Sequence, residues 1–332
     1  MDIITQGIAG AVLAQAGTSR KQGIATIVGF TTGLLPDADV LIRSADDPLL
    51  TLEFHRQFSH SLTFIPVGGL IAALLLWPFV RRYLKFSQLY VYTLLGYSAG
   101  GILDACTSFG TQLLWPFSDA RTAWNLIAVI DPVLTLSLLI LLIAGWRKHR
   151  RIYPIAAIGF TAIYLSLAYI QQQTGYAAQQ QLARNRGHNI EQAVIKPTLG
   201  NIILWRSIYL HDDRYYVDAI RVGIGGDIQI YEGQSIARYK PGHNIHEHAK
   251  LSQQSKDVLR FSRLSGGYLV RHPEQHHVIG DIRYAMLPHS VSPLWGIRLH
   301  PHSPYSHAEE VTFRKNDAET RRAFLSMLAG KP

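Results

Sequence analysis

Apolar residues are spread unevenly along the chain. Four runs, Leu62–Val80, Gln88–Cys106, Leu126–Trp146 and Ile152–Ile170, are almost free of charge. Each approaches the roughly 20 residues that cross a bilayer as a helix. A fifth run, Gly23–Ile42, is apolar to Leu35 and then meets Pro36-Asp37-Ala38-Asp39. The opening run, Ile3–Ala16, is apolar but short and has no basic segment before it. It reads as a helix at the interface or tucked into the bundle, not as a standard signal peptide. Near Gln171 the pattern changes. The Gln-rich stretch that follows predicts a polar helix leaving the membrane. After it, aromatic and β-branched runs alternate with Gly, Asp and Pro: Ile202–Leu210, Tyr215–Gly223, Ile228–Tyr231, Tyr268–Arg271, His277–Tyr284 and Trp295–Leu299. These predict strands. Asp212-Asp213 predicts a hairpin turn between the first two. Ala249–Leu264 and Asp317–Ala329 predict helices, the second capped by Asp317. The expected architecture is a mainly α polytopic membrane bundle of about five spans over residues 1–171. A small α+β soluble domain with a mainly antiparallel sheet follows over residues 172–332.

Composition narrows the class. Of 332 residues, 48% are hydrophobic and 17% charged, against about 25% charged in ordinary soluble proteins, so disorder is excluded as the main state. The single cysteine, Cys106, excludes a disulfide scaffold and a thiolate metal cage within one chain. The net charge is +9, but no block of Lys and Arg carries interleaved aromatics, and nucleic acid is not an expected partner. Basic residues also orient the spans. Arg20-Lys21, Arg81-Arg82 with Lys85, and Arg147, Lys148, Arg150 and Arg151 fall on one side of a five-span bundle. That side is then cytoplasmic. Asp37–Ser61, Thr107–Asn125 and everything after Ile170 are expected outside the cytoplasm.

The ionisable residues in or beside the spans are few: Asp37, Asp39, His55, Arg56, His60, Asp104 and Asp131. A charge in hydrocarbon costs about 2.5–3.5 kcal/mol or more and marks a functional site by default. All seven fall at the non-cytoplasmic ends of the expected spans. Carboxylates and neutral imidazoles are the usual oxygen and nitrogen ligands of divalent metals. If the chain is extended after Pro36, the Asp37 and Asp39 side chains point the same way. On a continuous helix His55 and His60 stand about 140° apart, so a bend between them is expected, with Ser59 as a cap. Thr107 and Ser108, one turn below Asp104, are placed to hold its carboxylate. Arg56 can balance the acids or grip a phosphate oxygen. Cys106 reads as a packing residue. Singly, Pro36-Asp37 and Asp131-Pro132 serve equally well as helix-end punctuation, and His55 and His60 as interfacial histidines. Together the residues point to a polar functional site.

The same residues carry a family resemblance. Met1-Asp-Ile-Ile-Thr-Gln-Gly with Gly10, Gly33-Leu-Leu-Pro-Asp-Ala-Asp39, His55-Arg-Gln-Phe-Ser-His-Ser-Leu62, Leu103-Asp-Ala-Cys-Thr-Ser-Phe-Gly-Thr-Gln-Leu-Leu-Trp-Pro-Phe117 and Ile130-Asp-Pro-Val133 resemble the YdjM-like inner-membrane metal-dependent hydrolases of bacteria. The likeness covers residues 1–145. It implies a divalent metal, zinc first and manganese second, held by Asp37, Asp39, His55, His60 and Asp104. It implies hydrolysis of a phosphoester, through a distant similarity to zinc-dependent phospholipase C. A lipid or other amphiphilic phosphoester is then the expected substrate, at the bacterial inner membrane. In that chemistry Asp39 or Asp131 is the general base and Arg56 neutralises charge on the phosphoryl oxygens. The sequence departs from the family pattern at two positions, with Gln6 and Gly100 where many members carry His.

The C-terminal half is rich in histidine. His243, His246, His248, His272, His276, His277, His300, His302 and His307 read as loop residues, and no HExxH spacing occurs among them. Gly223-Ile-Gly-Gly226 lacks the Lys-Ser/Thr of a phosphate loop. The contrasting functional reading is a non-catalytic membrane anchor that presents the C-terminal domain to a partner. A transporter fits less well, because the polar residues gather at one face and not at the bilayer midplane.

Overall fold

The computed structural model describes residues 1–242, 252–303, 305–314 and 317–331. The chain divides into two units. The first comprises Met1–Leu41, Phe54–Ile170 and Leu199–Ile202, and the second Ile42–Glu53, Gln171–Thr198 and Ile203–Pro332. The sequence reading puts the boundary at residues 171 and 172. The second unit does resume at Gln171, but it also takes in Ile42–Glu53 from the N-terminal half.

The first unit is helical. Its elements are α1 (Ile3–Ala16), α2 (Gln22–Gly33), α3 (Leu50–Phe54, shared with the second unit), α4 (Ile65–Val80), α5 (Phe86–Ala105), α6 (Pro132–Lys148) and α7 (Ile152–Asn185), whose latter part belongs to the second unit. Asp2 caps α1 by accepting the Thr5 N–H at 3.0 Å. The helix packs against α2, α5 and α6 and is buried along most of its length. Small residues allow this close approach. A Cβ on Gly29 would stand 2.5 Å from the Gly10 carbonyl oxygen, and one on Gly96 2.1 Å from Thr32 Oγ1. Large apolar side chains face outward instead, among them Leu74, Leu75 and Phe79 of α4, Ile140 of α6 and Ile163 of α7. Such outward apolar surface suits hydrocarbon surroundings.

The expectation of about five spans is corrected. Among the described residues two helical stretches are long and apolar enough to cross a bilayer, Gln22–Leu41 and α7. A third is added if Leu50–His60 and α4, bent by 89°, form one span. The reason is length and polarity. The α4 and α6 helices have 16 and 17 residues. The α5 helix reaches 20 but spends them on Ser, Gln, Thr, Gly and Asp as well as apolar residues.

The second unit contains two antiparallel sheets. The strands are β1 (Gln192–Pro197), β2 (Leu204–His211), β3 (Arg214–Val222), β4 (Ile228–Tyr231), β5 (Ser235–Ala237), β6 (Leu269–Arg271), β7 (Val278–Asp281), β8 (Trp295–Arg298) and β9 (Glu309–Thr312). The first sheet runs β1-β2-β3-β4 with β5 also on β3, and the second β6-β7-β8-β9. The α+β expectation therefore holds, and the six predicted strand segments match β2, β3, β4, β6, β7 and β8. Asp212 and Asp213 make the β2–β3 turn with φ of 46° and 57°. A two-residue hairpin of that type needs positive φ at both positions, which Asp tolerates better than most residues. Helix α8 (Gln253–Leu264) is capped by Ser252 and α9 (Ala318–Leu328) by Asp317, as expected for the latter. The α8 face contributes Val258 and Phe261 to a core with Leu269, Ile279, Ile297 and Leu49.

Lys196 on β1 is buried, with its ammonium 3.4 Å from the centre of the Tyr284 ring. Burial holds its pKa well below the ordinary lysine value of 10.5, with nearby Arg283 adding to the effect. On raising the pH the folded chain loses this proton before the unfolded chain does. Stability should therefore rise with pH through the window that ends near 10.5. Lys196→Met is expected to flatten that slope and to stabilise the second unit at pH 7. Denaturant unfolding at pH 7 and pH 9 measures both. A slope unchanged by the substitution would assign it to another group.

Candidate metal centre

Three segments of the first unit build the cluster. After α2 the chain tightens into a 3-10 turn, Leu35–Leu41. At about three residues per turn, Asp37 and Asp39 leave on different sides. The extended conformation expected after Pro36 does not form. The second segment follows α3, turns at Arg56 with φ of 61°, and closes as the 3-10 turn Phe58–His60. The break expected between His55 and His60 falls there. The third segment is the last turn of α5, which carries the fully buried Asp104.

Asp39 organises the two histidines. Its Oδ1 lies 2.8 Å from His55 Nδ1. Its Oδ2 accepts the Arg56 backbone N–H at 3.0 Å and the Ser59 hydroxyl at 2.6 Å, and stands 3.2 Å from His60 Nδ1. A carboxylate on Nδ1 fixes the tautomer and leaves Nε2 with a lone pair. Ser59 thus serves Asp39 and caps no helix: α4 has no side-chain cap, and Ser61 Oγ accepts the N–H of Phe64 in the turn before it, at 3.2 Å.

Asp104 is surrounded. Arg56 Nη2 lies 3.0 Å from its Oδ1, with the Met1 amino group also on that oxygen. Gln6 Nε2 donates to Oδ2 at 3.0 Å. The expected role of Thr107 is corrected. Its hydroxyl donates to the Asp104 backbone carbonyl at 2.8 Å and accepts from Arg56 Nη1 at 3.0 Å, so it holds the arginine and not the carboxylate. The Arg56 guanidinium also sits 5.3 Å from the centre of the Phe109 ring.

At the centre of the cluster is an arrangement that hydrogen bonding does not complete. His60 Nε2 stands at ion-pair distance from two carboxylates, 3.2 Å from Asp37 Oδ1 and 2.9 Å from Asp104 Oδ2, but neither approach has the directions of a good hydrogen bond. His60 Nε2 and Asp37 Oδ1 are both buried. A lone pair aimed between two carboxylates is repelled unless a cation or a proton lies between them. Ligand atoms of Asp37, His60 and Asp104 lie within 4.8 Å of one another, as do those of Asp37, Asp39 and His55. Two carboxylate oxygens and an imidazole nitrogen converging this way match the donor set of a divalent metal.

Asp131 is not brought to this cluster. Its Oδ1 accepts the Leu134 N–H at 3.1 Å as the cap of α6, and its Oδ2 accepts the Tyr164 hydroxyl at 2.8 Å. Cys106 is buried, with its thiol on the Ile102 carbonyl at 3.4 Å, as a packing residue would be. The place of Gln6 was not legible as a contact. Its signals were an amide in a mostly apolar helix and the departure from the family pattern. Gly100 lies beside it: a Cβ there would meet Pro36 Cγ at 3.0 Å and Gln6 Oε1 at 3.7 Å. Both departures from the family pattern therefore border the cluster. The patch His243, His246 and His248 lies outside the described residues. Of the remaining C-terminal histidines, His272 is buried and His307 pairs with Asp257 at 3.0 Å.

Gly101 sets how closely the histidine turn approaches α5. A Cβ there would stand 2.1 Å from the His60 carbonyl oxygen. Gly101→Ala is expected to push the Phe58–His60 turn off α5 and to cost about 1–3 kcal/mol. A thermal melt with and without added metal measures both effects. An unchanged melt would mean that this approach can relax freely.

A helical unit with outward apolar surface, a buried Asp/His cluster and a separate antiparallel-sheet unit together define an integral membrane protein with a candidate metal centre. The chain belongs to the YdjM inner membrane protein family, whose model matches residues 1–175. The family and the apolar helices place it at the inner membrane. It is 26% identical over 199 residues to the uncharacterized protein YfhP of Bacillus subtilis (strain 168), covering 58% of this chain and 57% of that protein. The chain thus spans a little over half the length of this curated relative. No solved structure matches.

Proposed function

We propose that this protein is a membrane-bound, metal-dependent hydrolase of phosphoester bonds. The observation that carries the reading is the convergence of the buried His60 Nε2 with the Asp37 and Asp104 carboxylates, at ion-pair distance from both but without good hydrogen-bond geometry to either. Those three residues would hold the ion, zinc first and manganese second. When bound, such an ion lowers the pKa of its water toward ~7 and polarises a phosphoryl oxygen. The chain's own groups do the rest. Asp39 holds both imidazoles in one tautomer and orientation. Asp39 and Asp131 were the expected bases, but their oxygens are engaged with other donors. The Asp39–His55 pair suits that role better, because Nδ1–H on the carboxylate leaves His55 Nε2 to take a proton. Arg56 keeps positive charge beside Asp104, where it can offset charge developing on a phosphoryl oxygen.

The finer topology belongs to the same reading. With the bent Leu50–His60 and Ile65–Val80 pair counted as a third crossing, the basic clusters face the cytoplasm and the second unit lies outside it. The substrate is then a phospholipid or another amphiphilic phosphoester that reaches the cluster from the lipid side.

The test is turnover of a short-chain phospholipid and a soluble phosphodiester by metal-loaded protein in mixed micelles. Hydrolysis is expected, with His55→Gln lowering kcat at least about 100-fold while bound metal is retained. Metal-loaded wild type that hydrolyses neither substrate would contradict the reading.

One observation favours a second reading. The Asp104 carboxylate is already matched by Arg56 and Gln6, and Gln6 and Gly100 stand where the family resemblance leads one to expect imidazoles. On that reading the cluster is a structural lock, and the protein is a membrane anchor presenting its second unit to a partner.

A further inference from the structure

The segment between the two halves of the cluster has its own attachment. The chain leaves the first unit after Leu41 and rejoins it at Phe54, and Ile42–Glu53 belongs to the second unit. There Leu49 is fully buried in the core with Val258, Phe261 and Ile279. Charge fixes the segment as well. The Arg260 guanidinium forks onto Glu53 through Nε at 2.8 Å and Nη2 at 2.7 Å. It forks onto Asp47 through Nη1 at 3.0 Å and Nη2 at 2.8 Å. Asp257, which accepts the Ala308 N–H at 2.9 Å and pairs with His307, takes Nη1 at 3.2 Å. Asp47 also accepts the Leu49 N–H at 3.1 Å and so shapes the turn itself. Two bidentate pairs on one arginine are geometrically demanding and hold their partners in register.

The ends of this strap lead into residues of the candidate cluster. Asp39 precedes it, His55 and Arg56 follow it, and Asp39 is bonded to both. Glu53, the strap's last residue, is two positions from His55. A guanidinium that fixes Glu53 limits the backbone arrangements in which His55 and Arg56 reach Asp39. A released strap would leave Asp39 and His55 joined by a flexible loop, and the entropy of closing it would then oppose the ligand geometry.

We infer that Arg260 is a positioning residue for the cluster: its double clamp on Asp47 and Glu53 holds the strap so that His55 and Arg56 stay on Asp39. The inference rests on the reading of that cluster as a metal centre. It makes the second unit a structural determinant of metal affinity, through the chain that passes into it and back.

The test uses the full chain in detergent. Zinc affinity and the visible spectrum of the cobalt-substituted protein are measured for wild type, Arg260→Met, Glu53→Gln and Arg260→Lys. Arg260→Met is expected to weaken zinc binding about 10-fold or more and to shift the cobalt bands. Glu53→Gln should do the same more weakly, and serves if Arg260→Met fails to fold. Arg260→Lys should recover part of the affinity. Wild-type affinity and an unshifted spectrum in folded Arg260→Met and Glu53→Gln would overturn the inference. Should the wild type bind no metal, the metal reading fails, and hydrogen exchange at the Arg56 amide decides the positioning claim separately. Protection present in wild type and lost in Arg260→Met or Glu53→Gln supports it, and protection that is unchanged overturns it.

Discussion

His60→Ala is expected to remove high-affinity metal binding, with apparent affinity falling by more than about 100-fold. The physical reason is the position of Nε2. It is the imidazole atom that faces both Asp37 and Asp104, at 3.2 and 2.9 Å, without good hydrogen-bond geometry to either. Removing it leaves two carboxylates to hold the ion alone. Because His60 is buried, the alanine variant also opens a small cavity, so Asp37→Asn is the cleaner companion. It keeps the shape, and Asp37 is the most exposed of the three candidate ligands, at 13% of its side-chain surface. It should lose metal while retaining the fold. Asp39→Asn is expected to cost less, about 10–100-fold, because it orients ligands and is not required to be one. Isothermal titration with zinc in detergent measures the series. Equal, small losses in all three variants would show that the carboxylates serve packing.

The second large effect is structural and lies in the second unit. Arg206 on β2 is buried and donates to four backbone carbonyls: Ile282 at 2.7 Å, Pro288 at 2.8 Å, Ser290 at 2.9 Å and Leu287 at 3.2 Å. No other donor type matches this set, because a guanidinium offers five N–H groups in one plane. Arg206→Met is expected to leave those carbonyls without their partner. A buried group left unsatisfied costs about 1–3 kcal/mol, and even with water entering, the loss should be about 4 kcal/mol or more. Denaturant unfolding of the full chain, read by tryptophan fluorescence and by exchange in β2, reports it. A loss below 1 kcal/mol would mean that the 282–290 segment is held by its own turns.

Much of the fold was legible in local pattern. The alternation of β-branched and aromatic residues located β2 and β3 closely, and Asp212-Asp213 identified their turn. Asp317 marked the start of α9. The strands that pattern missed have physical reasons to be missed. Gln192–Pro197 and Glu309–Thr312 carry too few aromatic and β-branched residues to stand out, and they become strands by pairing with β2 and β8. Between Ser44 and Thr51 the pattern predicts no element, since the short apolar pair Leu49-Leu50 follows Asp46, Asp47 and Pro48. Leu49 finds its core among buried residues from Tyr239 onward, which no local window reveals.

The candidate site was legible in part for a similar reason. Charges in apolar surroundings are expensive, so their positions alone selected Asp37, Asp39, His55, Arg56, His60 and Asp104, and the structure brings these six together. The same argument selected Asp131, which satisfies its charge by capping α6 and accepting from Tyr164. Which acid becomes ligand, support or cap depends on backbone turns such as the one at Arg56. The sequence does not encode those at any fixed spacing.

The most direct test of the central claim is the metal content of the full chain purified in detergent, measured by elemental mass spectrometry before and after reloading with zinc and manganese. The account predicts close to one transition-metal ion per chain in the wild type and almost none in Asp37→Asn. A wild type that holds no metal even after reloading would contradict it, and would leave the Asp/His cluster as a lock within a membrane anchor.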